Sequence, residues 1–224
     1  MSQLSSTLAL VGKDIQSELR TRYALNALLM FVVTAVATIL FALRSDQPTS
    51  TVLAGMYWVV IFFTAMSGLS RIFVSEEERG TTMTLQLVAS PAVVYFGKLV
   101  FNTVLTLSLT VAVTILYTLV FATSFVIQSV SIFAITVLLG SLGFASAATI
   151  IAAIVAKANT RGTLYPVLSF PILIVLLITV MNATAKALDG EAFSSALGDF
   201  QVLIGYFLAM TAGSYLLFDY VWKD

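Results

Sequence analysis

The sequence contains no cysteine and no histidine, and charge is sparse, with 11 basic and 11 acidic side chains among 224 residues. Without cysteine and histidine the chain cannot form a disulfide, a Cys/His zinc site or a histidine-based acid/base or nucleophilic centre. The formal net charge of zero argues against a nucleic-acid partner, because neutralising phosphates requires clustered Lys and Arg. We therefore expect no catalytic residue, no metal site and a protein that is not itself an enzyme.

Apolar residues are abundant: 59% of the residues are hydrophobic, and the mean hydropathy is +1.02. Such a composition indicates an integral membrane protein. A helix that crosses a bilayer needs about 20 mostly apolar residues, and six stretches qualify. We predict an all-α membrane protein, one membrane domain over residues 1–224 with six transmembrane helices. The predicted spans are 24–43, 51–69, 99–122, 130–155, 164–181 and 202–222.

The basic residues are unevenly divided between the predicted loops. With the N-terminus inside, all of the 11 Lys and Arg residues except Arg44 and Lys186 lie on the inner side. Because positively charged loops stay in the cytoplasm, we expect both termini and the loop between spans 2 and 3 to be cytoplasmic.

The segment before the first span has a helical apolar pattern. Its apolar residues recur every three or four positions, which places them on one face of a helix. We predict an interfacial amphipathic helix within residues 1–23, lying along the inner membrane surface. It either only anchors the first span or takes part in coupling. The apolar residues are Leu4, Leu8, Val11, Ile15 and Leu19.

Three consecutive glutamates stand in the loop between spans 2 and 3. Ser75 and Glu78 have the spacing of a capping box, and Glu76 and Glu77 would then lie in the first helical turn, where the helix dipole favours negative charge. We predict a short helix over 76–89 that ends ahead of the following proline. As local structure, the glutamates need no role beyond capping.

Capping leaves Arg79, Gly80 and Thr81 unexplained. A glycine early in a helix costs about 1 kcal/mol relative to alanine. Gly80 would therefore mark either the close approach of another surface or a frayed first turn.

The third span carries a polar stripe. At about 100° per residue its members share one helical face. Such a stripe either packs against other helices, because threonine can bond to the preceding turn, or lines a path for cargo. The bundle-lining candidates are Asn102, Thr103, Thr106, Thr110, Thr114 and Thr118.

Spans 4 and 5 carry small residues and prolines. Gly140, Gly143 and Ala147 give span 4 a surface that permits close helix approach. Pro166 and Pro171 each remove a backbone donor from span 5 and predict a kink, which is either static or a hinge.

A polar segment over 182–199 follows span 5 and is expected outside the membrane. It is similar to the short external elements of ABC-2-type permeases. Asp189 and Gly190 form its turn signal.

Five segments resemble the CcmB family, the haem-exporter permease subunit of the ABC transporter of bacterial cytochrome c maturation. The order of elements also resembles ABC-2-type permeases, in which the loop after the second span carries a coupling helix that docks on a separate ATPase. The similar segments are "KDIQSELRTR" (13–22), "GLSRIFVSEEERGT" (68–81), "GKLVFN" (97–102), "GSLGFASAAT" (140–149) and "NTRGTLYPVLSFP" (159–171).

The resemblance implies a multi-pass protein of the bacterial inner membrane with haem as a possible cargo. Its partners would be a CcmA-like ATPase and CcmC- and CcmD-like membrane proteins. No G-x-x-x-x-G-K-[ST] phosphate loop occurs, so ATP would bind to the partner. Because histidine is absent, only Met or Tyr is left as an axial haem ligand, and we expect no cofactor bound directly. The ATPase-coupling candidates are Glu76, Glu77, Glu78, Arg79, Gly80 and Thr81.

Two other functions are compatible with the sequence. An ABC-2-type permease for another lipid-like or polysaccharide cargo would share the architecture. A membrane scaffold or assembly factor that transports nothing would share the spans.

Overall fold

The computed structural model describes residues 3–20, 22–43, 48–69, 73, 76, 80–157 and 161–223. These residues form eight α-helices and one 3-10 helix, with Phe73 and Glu76 helical outside these elements, and no described residue lies in a strand. The helices are α1 Gln3–Arg20, α2 Arg22–Ala42, α3 Ser50–Leu69, α4 Thr82–Val88, α5 Pro91–Val120, α6 Val130–Lys157, α7 Arg161–Leu188 and α8 Leu197–Lys223, with the 3-10 helix at Phe193–Ala196. The all-α prediction is confirmed.

Five of the described segments are long and apolar enough to cross a membrane. They include helices α3, α5, α6, α7 and α8, the last together with the 3-10 helix that precedes it. In α2 the apolar part, Asn26–Ala42, is shorter. A multi-pass membrane protein is therefore confirmed, whereas the sixth span stays a prediction.

Two helix boundaries differ from the predicted ones. Helix α5 begins at Pro91 instead of residue 99, because proline fits the first helical turn, where its missing N–H is not needed. Lys98 consequently lies inside a helix and not in a loop.

Helix α7 continues to Leu188, so the prediction of a polar external segment from residue 182 is wrong for residues 182–188. Alanine-rich sequence favours helix there, and the Trp58 indole N–H donates to Thr184 Oγ1 at 2.7 Å. The turn predicted at Gly190 is confirmed, since Gly190 has φ +70°.

Helix α6 lies at the centre of the bundle and packs against α3, α5, α7 and α8. Its glycines make this packing possible. A Cβ atom on Gly140 would lie 2.7 Å from the Trp58 ring, and one on Gly143 would lie 2.5 Å from Leu176 Cδ1. The predicted close approach of helices at this surface is confirmed.

Helix α1 packs against α5. Leu10 fills the space above Gly97, where a Cβ atom would lie 2.6 Å from Leu10 Cδ2. Val11 and Asp14 are buried beside it. The contact therefore holds α1 against the transmembrane bundle.

The buried face of α1 differs from the predicted apolar face. Leu8, a predicted member, is 67% exposed, whereas Leu10 and Asp14 are buried. The reason is tertiary: Gly97 admits Leu10, and Asp14 on the same face meets Lys98 of α5. The side chains of Leu4 and Leu19 lie outside the described residues.

Helix α7 runs without a break past both Pro166 and Pro171. Pro171 is exposed, and the side chain of Pro166 lies outside the described residues. The hinge stays a prediction.

We expect Gly143→Val to lower the free energy of unfolding by about 1–3 kcal/mol, because the new side chain overpacks the contact with Leu176. Gly205→Val in α8 is the matched control, since no atom lies within 4 Å of its Cβ position. Thermal unfolding in detergent measures both. Equal melting temperatures for the two variants would contradict the packing.

Candidate functional site

Four charged side chains meet where α1 packs against α5, and we call them the charge cluster: Lys13, Asp14, Glu76 and Lys98. Lys98 Nζ lies 3.1 Å from Glu76 Oε1 and 2.9 Å from Asp14 Oδ2, and it donates a hydrogen bond to Asp14 Oδ1. Lys13 Nζ lies 2.6 Å from Glu76 Oε1. The Lys98 side chain is only 1% exposed, whereas that of Lys13 is 48% exposed. Two cations and two carboxylates therefore balance one another, and three of the four are buried.

The local sequence explains how these groups meet. Lys98 follows Gly97, the residue that admits Leu10 and lets α1 approach α5. Asp14 stands four residues after Leu10, so both side chains lie on one face of α1. The contact that buries Leu10 therefore brings Asp14 to Lys98.

An aromatic group covers Lys98. Its Nζ lies 5.8 Å from the centre of the Phe73 ring, within the range of a cation–π interaction. Phe73 in turn contacts Phe218 and Trp222 of α8. Aromatic rings therefore cover Lys98, whereas Lys13 at the edge of the charge cluster stays 48% exposed.

Glu76 is hydrogen-bonded to Thr81, the residue directly before α4. The Thr81 hydroxyl donates to Glu76 Oε2 at 2.5 Å, and the Thr81 backbone N–H donates to the Glu76 carbonyl at 3.0 Å. Gly80 between them has φ +66°. This bond over five residues, with a left-handed glycine, is the Schellman pattern that closes a helix C-terminus.

The prediction of a helix beginning at Glu76 is therefore wrong. Helix α4 begins at Thr82, because Gly80 takes a left-handed conformation that few other residues adopt readily. The frayed first turn is wrong as an explanation for Gly80, because the residue precedes the helix. No described atom of this chain lies within 4 Å of its Cβ position, so the close approach of a partner surface stays a prediction. The capping box of Ser75 and Glu78 lies outside the described residues.

Burial and charge act oppositely on the two carboxyls. Burial alone would raise the pKa of Glu76, but the charge of Lys98 and the hydrogen bonds from Lys13, Thr81 and Lys98 lower it to about 2. Burial raises the pKa of Asp14 above its ordinary value, and the charge of Lys98 opposes this only in part. Glu76 is therefore the carboxylate that the cluster stabilises.

Glu76 is not part of an exposed polar surface, contrary to the expectation for this loop. It is 6% exposed, and its partners lie within the chain. Glu77, Glu78 and Arg79 lie outside the described residues.

The exposed surface beside the charge cluster is apolar and belongs to α4. Exposure reaches 77% for Met83, 89% for Leu87 and 81% for Val88. The Gln86 amide donates to the Trp222 carbonyl at 2.6 Å, which ties α4 to α8. This surface was not predicted from the sequence; the available signal was the spacing of Leu87 and Val88, four and five residues after Met83, which places all three on one side of a helix.

The polar stripe of α5 is buried between helices. Asn102 Nδ2 donates to Thr149 Oγ1 of α6 at 2.8 Å, and Thr114 Oγ1 lies 2.7 Å from the Tyr57 hydroxyl of α3. Thr110 donates to the backbone one turn earlier. These contacts fit the packing interpretation. Asn102, Thr106 and Thr110 are fully buried, and Thr103, Thr114 and Thr118 are half-buried.

The same stripe begins at the charge cluster. Lys98, Asn102 and Thr106 follow one another at intervals of four residues, which places them on one face of α5. Asn102 Oδ1 and Thr106 Oγ1 are buried, and no donor or acceptor in the described part of the chain reaches them. Lys98 is thus the charged end of a buried polar row.

Comparison with known proteins places the chain in one family. A family model described as CcmB protein matches residues 5–221. A search of curated proteins returned no match. The family match covers nearly the whole chain, including every described member of the charge cluster.

We expect Lys98→Met to lower the free energy of unfolding by roughly 3–5 kcal/mol, because it leaves Asp14 and Glu76 buried without their cation. Lys186→Met is the matched control: Lys186 lies 2.8 Å from Asp199, but these side chains are 29% and 16% exposed, so its loss should cost only about 0–1 kcal/mol. Denaturant unfolding in detergent, followed by tryptophan fluorescence, measures the difference. Similar losses in both variants would contradict a buried cluster.

Stability should depend on pH through Glu76. Its folded pKa is lowered from 4.5 to about 2, so its contribution is complete above about pH 4.5 and is lost as the pH falls toward 2. Glu76→Gln removes this titration. The difference in melting temperature between the wild type and Glu76→Gln should be largest above pH 4.5 and should shrink toward zero near pH 2. A difference that stays constant over this range would refute the assignment.

Asp14 changes stability with pH in the opposite direction. Because its pKa is raised, its ionised form destabilises the fold, and acid removes this cost.

Proposed function

We propose, from the premise that this chain belongs to the CcmB family, that it is the permease subunit of an ABC transporter complex that handles haem for c-type cytochrome assembly. The family is that of a membrane component of the haem-export ABC transporter, not of an enzyme. In this proposal a CcmA-like ATPase supplies the energy, and CcmC- and CcmD-like proteins complete the complex. Haem is cargo and not a resident cofactor.

The observation that carries the proposal is the exposed apolar surface of α4. A helix of seven residues with no buried side chain gains little by folding alone, because helical stability normally depends on tertiary packing. Its exposed Met83, Leu87 and Val88 form an apolar group that a partner can bury. Helix-in-groove contacts use such apolar anchors.

An ATPase is the partner that this surface fits. The chain has no phosphate loop of its own, so a transporter built on it needs nucleotide chemistry from another polypeptide. The distribution of basic residues puts α4 on the cytoplasmic side, where ATP is available. In the same orientation six spans cross the inner membrane and both termini are cytoplasmic.

The proposed contact is mainly apolar, with a polar margin. Glu76 is occupied inside the chain, which leaves Glu77, Glu78 and Arg79 as candidate polar contacts. Charges at the margin of an interface act mostly on association rate and orientation. We therefore expect the ATPase to stay bound at moderate salt.

Leu87→Asp should abolish co-purification of the ATPase and the formation of c-type cytochromes, because a charge replaces an apolar anchor. Val130→Asp is the matched control: Val130 is 68% exposed but begins α6, on the opposite side of the bundle from α4. Both variants are expressed in cells that lack the native gene, and haem-stained c-type cytochromes and bound ATPase are measured. Full ATPase association in Leu87→Asp would refute the docking surface, and full cytochrome assembly without an associated ATPase would refute the transporter assignment.

A further inference from the structure

We propose that Glu76 is a positioning residue whose single carboxylate fixes α4 to both α1 and α5, so that a displacement of α4 is passed into the membrane helices. This inference rests on the proposed function, because it assigns the route by which an ATPase bound at α4 acts on the bundle. Glu76 does not itself contact the ATPase in this account.

The contacts of Glu76 point in three directions. Oε2 accepts from the Thr81 hydroxyl, directly before α4. Oε1 accepts from Lys13 of α1 at 2.6 Å and from Lys98 of α5 at 3.1 Å. One carboxylate therefore joins three separate elements, and each oxygen serves a different side.

Without Glu76, helix α4 would be attached to α5 only through the short chain segment that links the two helices. Ala89 and Ser90, which link the two helices, have extended backbone conformations, and such a short extended link can act as a pivot. The bond from Thr81 to Glu76 fixes the other end of α4. With both of its ends attached, α4 cannot rotate about the link alone, so a displacement of α4 also moves the helices of the bundle.

Other contacts of α4 lead to other parts of the bundle, such as the packing of Leu85 against the hydrophobic core. Gln86 donates to the Trp222 carbonyl of α8, which ties the middle of α4 to a different helix. It makes no connection to α1. The hydrogen bonds from Thr81 and Lys13 to Glu76 provide a direct path from α4 to α1.

Ionic bonds suit this task better than apolar packing does. Burying charges costs desolvation, and well-packed apolar residues often match or exceed a buried ion pair in stability. Charged hydrogen bonds are directional, however, and fix one arrangement of the elements. The pairing of buried Lys98 with Asp14 and Glu76 thus gives a defined geometry more than it gives stability.

The test separates binding from coupling in the complex of the full chain with its ATPase. The variants are Glu76→Gln and the triple variant D14N/E76Q/K98M, which leaves no unpaired buried charge and therefore avoids the folding cost of a single change. Asp199→Asn, which breaks the Lys186–Asp199 pair, is the control. The readouts are the amount of bound ATPase and the change in ATP turnover when the complex assembles. A third readout is amide hydrogen exchange of residues 82–88 in the isolated chain.

We expect Glu76→Gln and the triple variant to bind the ATPase within about twofold of the wild type but to lose most of the assembly-dependent change in turnover. Amide exchange in α4 should be faster by about tenfold or more, as for a segment released to open locally. Asp199→Asn should match the wild type in all three measurements.

Two results would overturn the inference. The first is a triple variant that folds, binds and keeps its turnover response, because the cluster would then serve stability alone. The second is unchanged exchange in α4 of Glu76→Gln. Failure of the wild-type chain to bind the ATPase would instead refute the proposed function, and the exchange measurement would still decide whether Glu76 positions α4.

Discussion

The burial of Lys98 holds together the end of the helix bundle at which α1, α4 and α5 meet. A cation that is 1% exposed in an apolar helix needs opposite charge beside it, and α5 supplies none. Asp14 comes from α1 and Glu76 from the segment before α4. The docking of α1 above Gly97 and the turn at Gly80 before α4 therefore both bring a carboxylate to one ammonium group.

The two carboxylates differ in what they contribute. Glu76 accepts from Lys13, Lys98 and Thr81, so its ionised form is favoured. Among the described residues Asp14 forms a close ion pair only with Lys98, and burial raises the pKa of Asp14. The cluster therefore links elements firmly at Glu76 and more weakly at Asp14. This asymmetry fits an arrangement in which Glu76 holds α4 and α1 together, while Asp14 adds a weaker connection between α1 and α5. The buried polar row from Lys98 toward Thr114 continues this joint along α5.

The sequence predicted those features that depend on local pattern. Long apolar stretches mark helices whatever their neighbours are, Gly140 and Gly143 mark close packing, and the turn at Gly190 needs a left-handed residue. The charge cluster could not be predicted, because its members are up to 85 residues apart in the sequence and only the fold brings them together. Local sequence pattern places Lys98 in a loop and makes Glu76 a helix-capping residue. Both positions depend on partners in other helices, which local sequence patterns do not reveal.

If Glu76 joins α4 to α1 as one body, the distance between these two helices is fixed, and measuring this distance tests the link. The absence of native cysteine allows spin labels to be placed at Gln16→Cys on α1 and Thr84→Cys on α4, both at exposed positions. Double electron–electron resonance then gives the distribution of distances between the labels. We expect one narrow distribution of label distances in the otherwise native chain and a clearly broader one when Glu76→Gln is added. Equally narrow distributions with and without the Glu76 carboxylate would contradict it.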